Sequence, residues 1–273
     1  MKSKVVGIFL LSILLVSCGE YNKVLKLTDI DKKFEYAKKY FDAGQFSRAA
    51  TLLEEVVQMR KGSAKGEEAL YLLAQSYYGM KDYLTASEYF STYFKTYSKG
   101  EYAELALFYS AYSLFLESPD PRLDQTNTYK AMEKFQDFIE RFPQSERKEE
   151  AQNALFQLQE KLALKELLTV RLYYNLGDFL LVPFPGGNYL SAVITAQNAM
   201  RAYPYTKYRE DFMYFIFKSK YEMAIRSVNE KREFRFRDVV DEYYAYVNEF
   251  PDGRFIKEIT RLYQSVERQL KQS

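Results

Sequence analysis

A chain of 273 residues with 39 basic and 37 acidic side chains has a formal charge of only +2, which argues against a nucleic-acid binder, since those normally show a basic surplus. Histidine is absent, which removes the commonest general base and metal ligand, and the single cysteine excludes an intramolecular disulfide and a thiolate metal cluster. Aromatic residues are abundant as 26 Tyr and 21 Phe, but there is no Trp, so any stacking platform for a glycan would have to be built from Tyr.

Residues 1–17 read as a secretion signal. Lys2 and Lys4 form a short positive region ahead of a 12-residue apolar run at 5–16. A bilayer span needs about 20 residues, so the run fits a signal peptide and not an anchor helix. Leu15-Val16-Ser17-Cys18 resembles the bacterial lipobox, in which the signal is cut before a cysteine that is then lipidated. The chain's only cysteine stands there, and a covalent lipid on Cys18 is the one non-protein group expected. Two or three acyl chains, at about 0.8 kcal/mol per buried CH₂, would hold the protein firmly to a membrane. Gly19 is not the Asp associated with inner-membrane retention, and this sorting rule favours the outer membrane. Residues 18–30 form a polar tether.

From there the chain repeats itself. Phe34-Glu-Tyr-Ala37-Lys-Lys-Tyr40 is echoed 37 residues later by Tyr71-Leu-Leu-Ala74-Gln-Ser-Tyr77, with Phe46, Ala49 and Leu53 in register with Tyr83, Ala86 and Phe90. A second step of 37 lays Ala69-Leu-Tyr71 over Ala106-Leu-Phe108 and Ala74 over Ala111. A period in the mid-thirties, with small residues at fixed helix positions, predicts tandem helix-turn-helix units. The Ala sits where two helices approach closely, and the ring three or four positions on fills the gap to the next turn.

Repeats one to three are expected over residues 31–143. The first turns at Asp42-Ala-Gly44-Gln-Phe46, the second at Gly79-Met-Lys-Asp-Tyr83, and the third has a turn lengthened around Ser118-Pro-Asp-Pro-Arg122. Its prolines forbid helix continuation. Repeats four and five are expected over 144–251. From Ser145 to Leu176 there is no Gly or Pro, which predicts one long helix or two nearly continuous ones. Residues 180–188 are an insertion before Tyr189-Leu-Ser-Ala192 resumes the pattern. Glu210-Asp-Phe-Met-Tyr-Phe-Ile216 overlays Glu67-Glu-Ala-Leu-Tyr-Leu-Leu73 at an offset of 143, and residues 252–273 supply a charged capping helix.

These positions resemble the tetratricopeptide (TPR) repeat: Ala74, Tyr77, Ala86 and Phe90 in repeat two, and Tyr173, Ala192 and Pro204 in repeat four. The resemblance implies an all-α TPR solenoid of about five repeats. Together with the lipobox, the Phe-Pro and Tyr-Pro repeat ends, and Lys165-Glu-Leu…Tyr173-Tyr174…Gly177, the layout looks like the BamD family. The start Ser17-Cys-Gly-Glu-Tyr-Asn-Lys-Val-Leu25 looks like its Bacteroidetes members. The likeness covers essentially the whole mature chain; the 180–188 insertion and bulky Phe217, where repeat five should be small, depart from it.

The resemblance implies a non-catalytic scaffold of the outer-membrane β-barrel assembly machinery, lipid-anchored and facing the periplasm. Its N-terminal repeats would receive targeting segments of unfolded outer-membrane proteins, and its C-terminal repeats would hold a BamA-like barrel component. A TPR lipoprotein that binds peptidoglycan enzymes or glycans is the other class. First helices of a TPR array line its concave face, which here gives Phe34, Tyr71 and Phe108 at one level, Lys38, Gln75 and Tyr112 at the next, and Phe41, Tyr78 and Phe115 below. Such a ladder suits an extended peptide, because rings offer large contact at small entropy cost. Aromatic stripes at helical spacing are also the usual means of packing helix against helix between repeats.

Leu180-Leu-Val-Pro-Phe-Pro-Gly-Gly187 is apolar yet lies in a turn, so it either meets a partner or membrane or folds back on its own array. Arg232, Arg235 and Arg237 form a basic cluster before the second helix of repeat five, as a solvated face or a contact for an acidic patch. Adjacent carboxylates such as Glu54-Glu55 do not face one another on a helix, and Gly186-Gly187 has no Lys-Ser/Thr after it, so neither supports catalysis.

Overall fold

The computed structural model describes residues 20–177, 179 and 187–271. Cys18, the signal region and most of the 180–188 insertion lie outside those residues. Every regular element among the described residues is helical, and the fold is an all-α array of TPR helix pairs. After a helical turn at 20–25 come α1 (Ile30–Asp42), α2 (Phe46–Met59), α3 (Ala64–Gly79), α4 (Tyr83–Thr96), α5 (Ala103–Glu117) and α6 (Thr126–Arg141). They are followed by α7 (Lys148–Leu176), α8 (Gly187–Ala202), α9 (Arg209–Ile225), α10 (Asn229–Glu249) and α11 (Ile256–Leu270). No helix among the described residues is long and apolar enough to cross a membrane.

The chain divides into two compact units, Met1–Pro119 with Gln125–Leu155, and Asp120–Asp124 with Phe156–Ser273. The break falls inside α7, which is a single 29-residue helix. In the first unit each helix from α1 to α6 packs on the next, so the pairs α1/α2, α3/α4 and α5/α6 stack in sequence order. Short side chains start three of these helices: Asp29 Oδ1 accepts from the backbone of Asp31 and Lys32 at 3.1 Å, Ser63 Oγ accepts from Gly66, and Asp82 Oδ1 accepts from Thr85. Gly44, at φ 70°, closes α1 in the left-handed conformation the turn needs. The repeated alanines Ala37, Ala74, Ala86, Ala106, Ala111 and Ala131 are wholly buried where helices meet.

The second unit repeats the scheme. Buried Ala192, Ala196 and Ala199 of α8 meet Phe212 and Ile216 of α9. Phe217, Phe236, Val239, Tyr246, Ile259 and Val266 form the core of α9, α10 and the capping helix α11. Phe217, too large for the repeat pattern, is fully buried there. The arginine cluster differs from expectation. Helix α10 starts at Asn229, so Arg232, Arg235 and Arg237 lie inside it and not ahead of it, because no Gly or Pro interrupts residues 229–249.

A side-chain clamp built on a Glu–Tyr pair closes two of the boundaries, before α5 and before α11. Tyr93, at the end of α4, donates its hydroxyl to Glu67 Oε1 at 2.5 Å, and the same oxygen accepts from the Glu101 backbone at 3.1 Å. The backbone N–H of Tyr102 donates to the Tyr93 hydroxyl at 3.1 Å, fixing the start of α5. The second unit builds the same knot: Tyr246 donates to Glu210 Oε1 at 2.7 Å, Arg254 N to the same oxygen at 2.5 Å, and Phe255 N to Tyr246 at 3.2 Å. Gly100 and Gly253 sit against these knots, where a Cβ would overlap Glu67 Oε1 or the Tyr246 hydroxyl.

Arg254 also bridges Glu210 and the buried Asp211, at 2.9 and 2.7 Å. Burial works to raise the Glu210 carboxyl, but the bonds from Tyr246 and Arg254 outweigh it and hold the group below its usual range. Replacing Tyr246 by Phe removes one donor and one acceptor from this knot. It is expected to cost about 1–2 kcal/mol, read as a lower urea midpoint at unchanged slope.

Candidate partner-binding surface

The first helices of the pairs, α1, α3 and α5, carry the residues expected to line a groove, and the structure distributes them over two depths. The upper row is interior. Phe34 and Phe108 are 1% and 0% exposed and Tyr71 is 8% exposed, so these rings pack helix on helix. Phe108 meets Phe135 and Phe138 edge-on at 6.1 and 5.4 Å. Tyr71 stacks on Tyr102 at 4.3 Å and presents its edge to Phe90 and Tyr93.

The other two rows are half-buried. Tyr112 lies between Phe108 and Phe115, stacked at 5.5 and 5.4 Å. Tyr78 meets Tyr83 and Tyr109 at 5.5 and 5.4 Å. Gln75 Nε2 donates to the Tyr71 hydroxyl at 2.8 Å, which ties the deep ring to the shallower row. On α1, Lys38 sits 4.7 Å over the Phe34 ring and within 3.7 Å of Glu68. Phe41 turns its edge to Phe46 at 5.5 Å.

Thus Tyr71, Gln75, Tyr78, Phe108 and Tyr112 come together around α3 and α5, while Phe34, Lys38 and Phe41 stay on α1. Two participants were not evident from the repeat pattern. Tyr109 joins the cluster by packing on Tyr78, Phe90 and Phe108, although the matching position one repeat earlier is Leu72. Arg147, just ahead of α7, lays its guanidinium 4.9 Å over Phe108 and 5.4 Å over Tyr109 while donating to Glu150 at 2.9 Å. Its place in a charged stretch at a helix start gave no signal of that role.

Burial pushes the Tyr78 phenol up to about 12, and it raises Tyr71 as well, with the Gln75 bond opposing. Tyr71 and Tyr78 therefore stay neutral at neutral pH, beside the polar groups of Gln75 and Arg147. Half-buried rings with few rotatable bonds, beside donors that can meet backbone carbonyls or carboxylates, favour contact with polypeptide.

The comparisons with known proteins bear on this region directly. A family model described as "YfiO: Outer membrane lipoprotein" matches residues 28–182, a span that holds α1 to α7 and every side chain of the cluster. No curated protein is a significant match. Among solved structures, the chain is similar to one titled "TPR2AB-domain:pHSP90-complex of yeast Sti1", at 13% identity and a TM-score of 0.40, over 87% of this chain and 98% of that one.

Proposed function

Because the chain belongs to the YfiO (BamD) family of outer membrane lipoproteins, we propose that it is a non-catalytic adaptor in the assembly of outer-membrane β-barrel proteins. A lipid on Cys18 would tether it, with the repeats facing the periplasm. Its partners in this role are a BamA-like barrel component and the targeting segments of unfolded outer-membrane proteins.

The observation that supports an adaptor is the tyrosine cluster itself. Tyr78, Tyr109 and Tyr112 are half-buried on the first helices of the pairs and held by neighbouring rings. Rigid aromatic groups of this kind bind extended chain without paying for the ordering of long side chains. The test is affinity purification of the lipidated protein from its own membranes, followed by mass spectrometry. Recovery of a large barrel protein with periplasmic domains is expected. The double substitution Tyr78→Ala, Tyr112→Ala should reduce capture of unfolded outer-membrane proteins about tenfold or more, the scale of removing two interface rings. Recovery of peptidoglycan enzymes or glycan transporters alone would overturn the assembly role and leave the repeat architecture standing.

A further inference from the structure

A cavity of about 260 Å³ opens among α9, α10 and α11, far in sequence from the tyrosine cluster. It is lined by the apolar Ile225, Phe236 and Val266 and by the polar Tyr221, Arg232, Ser265 and Gln269. The Tyr221 and Ser265 hydroxyls stand 3.4 Å apart. Arg232 donates through Nη2 to the Ser227 carbonyl at 3.1 Å, which holds the guanidinium in place. Its Nε is buried without a hydrogen-bond partner, and so is the neighbouring Ser227 hydroxyl.

Among the described residues no carboxylate pairs with Arg232, whereas Arg237 one turn further on is bound to Glu233 at 2.6 Å and Arg254 to Glu210 and Asp211. A half-buried cation with no counter-charge is unfavourable, and the buried Lys33 and half-buried Lys218 are paired with Glu55 and Glu258. The guanidinium is a planar fork whose best-matched partner is a carboxylate.

We propose that this cavity is a binding site for a small carboxylate with a short apolar tail. The carboxylate would meet the Arg232 guanidinium and the Tyr221 and Ser265 hydroxyls, and the tail would lie on Ile225, Phe236 and Val266. Typical ligand pockets hold about 300–1,000 Å³, so this cavity fits a group of only a few heavy atoms. The acid can be a free metabolite-sized molecule or the C-terminal residue of a polypeptide; the chemistry recognised is the same.

The test uses the full-length protein and ¹³C-carboxyl-labelled acetate, butyrate and hexanoate, followed by the change in the label's chemical shift. The matching alcohols serve as uncharged controls, and a blocked tripeptide ending in leucine tests the polypeptide source. Affinity is expected to rise from acetate to hexanoate, to be absent for the alcohols, and to fall about tenfold or more in Arg232→Gln, as a charge-assisted bond is lost. Arg237→Gln, on the same helix and outside the cavity, should bind as the parent does. Ser265→Phe fills the cavity without touching the charge and should abolish binding, which keeps the test decisive if Arg232→Gln is poorly folded. Binding by the tripeptide and not the free acids assigns the site to chain termini. No binding by either, or binding that survives both Arg232→Gln and Ser265→Phe, overturns the proposal.

Discussion

Replacing Gly66 by alanine is expected to destabilise the protein by about 3 kcal/mol, against the direction that helix propensity alone dictates. Gly66 lies in the first turn of α3, where alanine would ordinarily gain about 1 kcal/mol. The geometry reverses the sign. A Cβ at this position would overlap the Arg60 carbonyl oxygen and stand 2.7 Å from its carbon and 3.3 Å from the Lys61 nitrogen. These are backbone atoms, and they are pinned. The Arg60 N–H donates to Val56 at 2.8 Å, and its carbonyl accepts from both the N–H and the hydroxyl of Ser63, at 3.0 and 2.7 Å. Relief therefore requires the end of α2 and the cap of α3 to move together. Urea unfolding of Gly66→Ala beside the parent measures the cost, and a variant as stable as the parent would show that the 60–66 link is looser than described.

Phe108→Ala is expected to cost about 3–5 kcal/mol, the range for deleting a fully buried ring. Phe108 touches Phe135 and Phe138 of α6, supports Tyr109 and Tyr112 on its own helix, and underlies the Arg147 guanidinium. Its loss leaves a void where α5 meets α6 and removes the backing of the half-buried phenols. Tyr112→Ala, by contrast, removes a half-buried ring and should cost about 1 kcal/mol, the common scale for a single substitution. The pair separates packing from recognition. Phe108→Ala should lower the unfolding midpoint and partner capture together, whereas Tyr112→Ala should lower capture with little change in the midpoint. Equal losses of stability in the two variants would mean that Tyr112 is core as well.

The helix pairs were legible in the sequence because their signal is local. Ala37, Ala74 and Ala111 recur at a step of 37 and mark where helices touch, and the absence of Gly and Pro over 145–176 marked the long helix. The depth of each ring was not legible. Phe34 and Phe108 share a repeat position with Tyr71, and whether such a ring faces a groove or a neighbour depends on what the adjacent helix offers. Tyr109 was hidden because the aligned residue is Leu72, and Arg147 because its partners are rings on another helix. The clamps were hidden for a related reason. Glu67 and Glu210 align at an offset of 143, yet the tyrosines they bind do not keep that offset.

That mismatch has a consequence for how the array tolerates change in length. Tyr93 lies 26 residues beyond Glu67, and Tyr246 lies 36 beyond Glu210, yet both tie the same knot at the start of the next helix. The clamp joins the opening of one pair to its exit and ignores what lies between. Each of these two pairs is in effect metered at its two ends, so extra turns of helix or longer hairpins can be taken up inside the pair without shifting the phase of the next helix. Evolution is then free to lengthen the interior of a repeat, where new contacts can arise, while the Glu–Tyr knot keeps the succession of units in step.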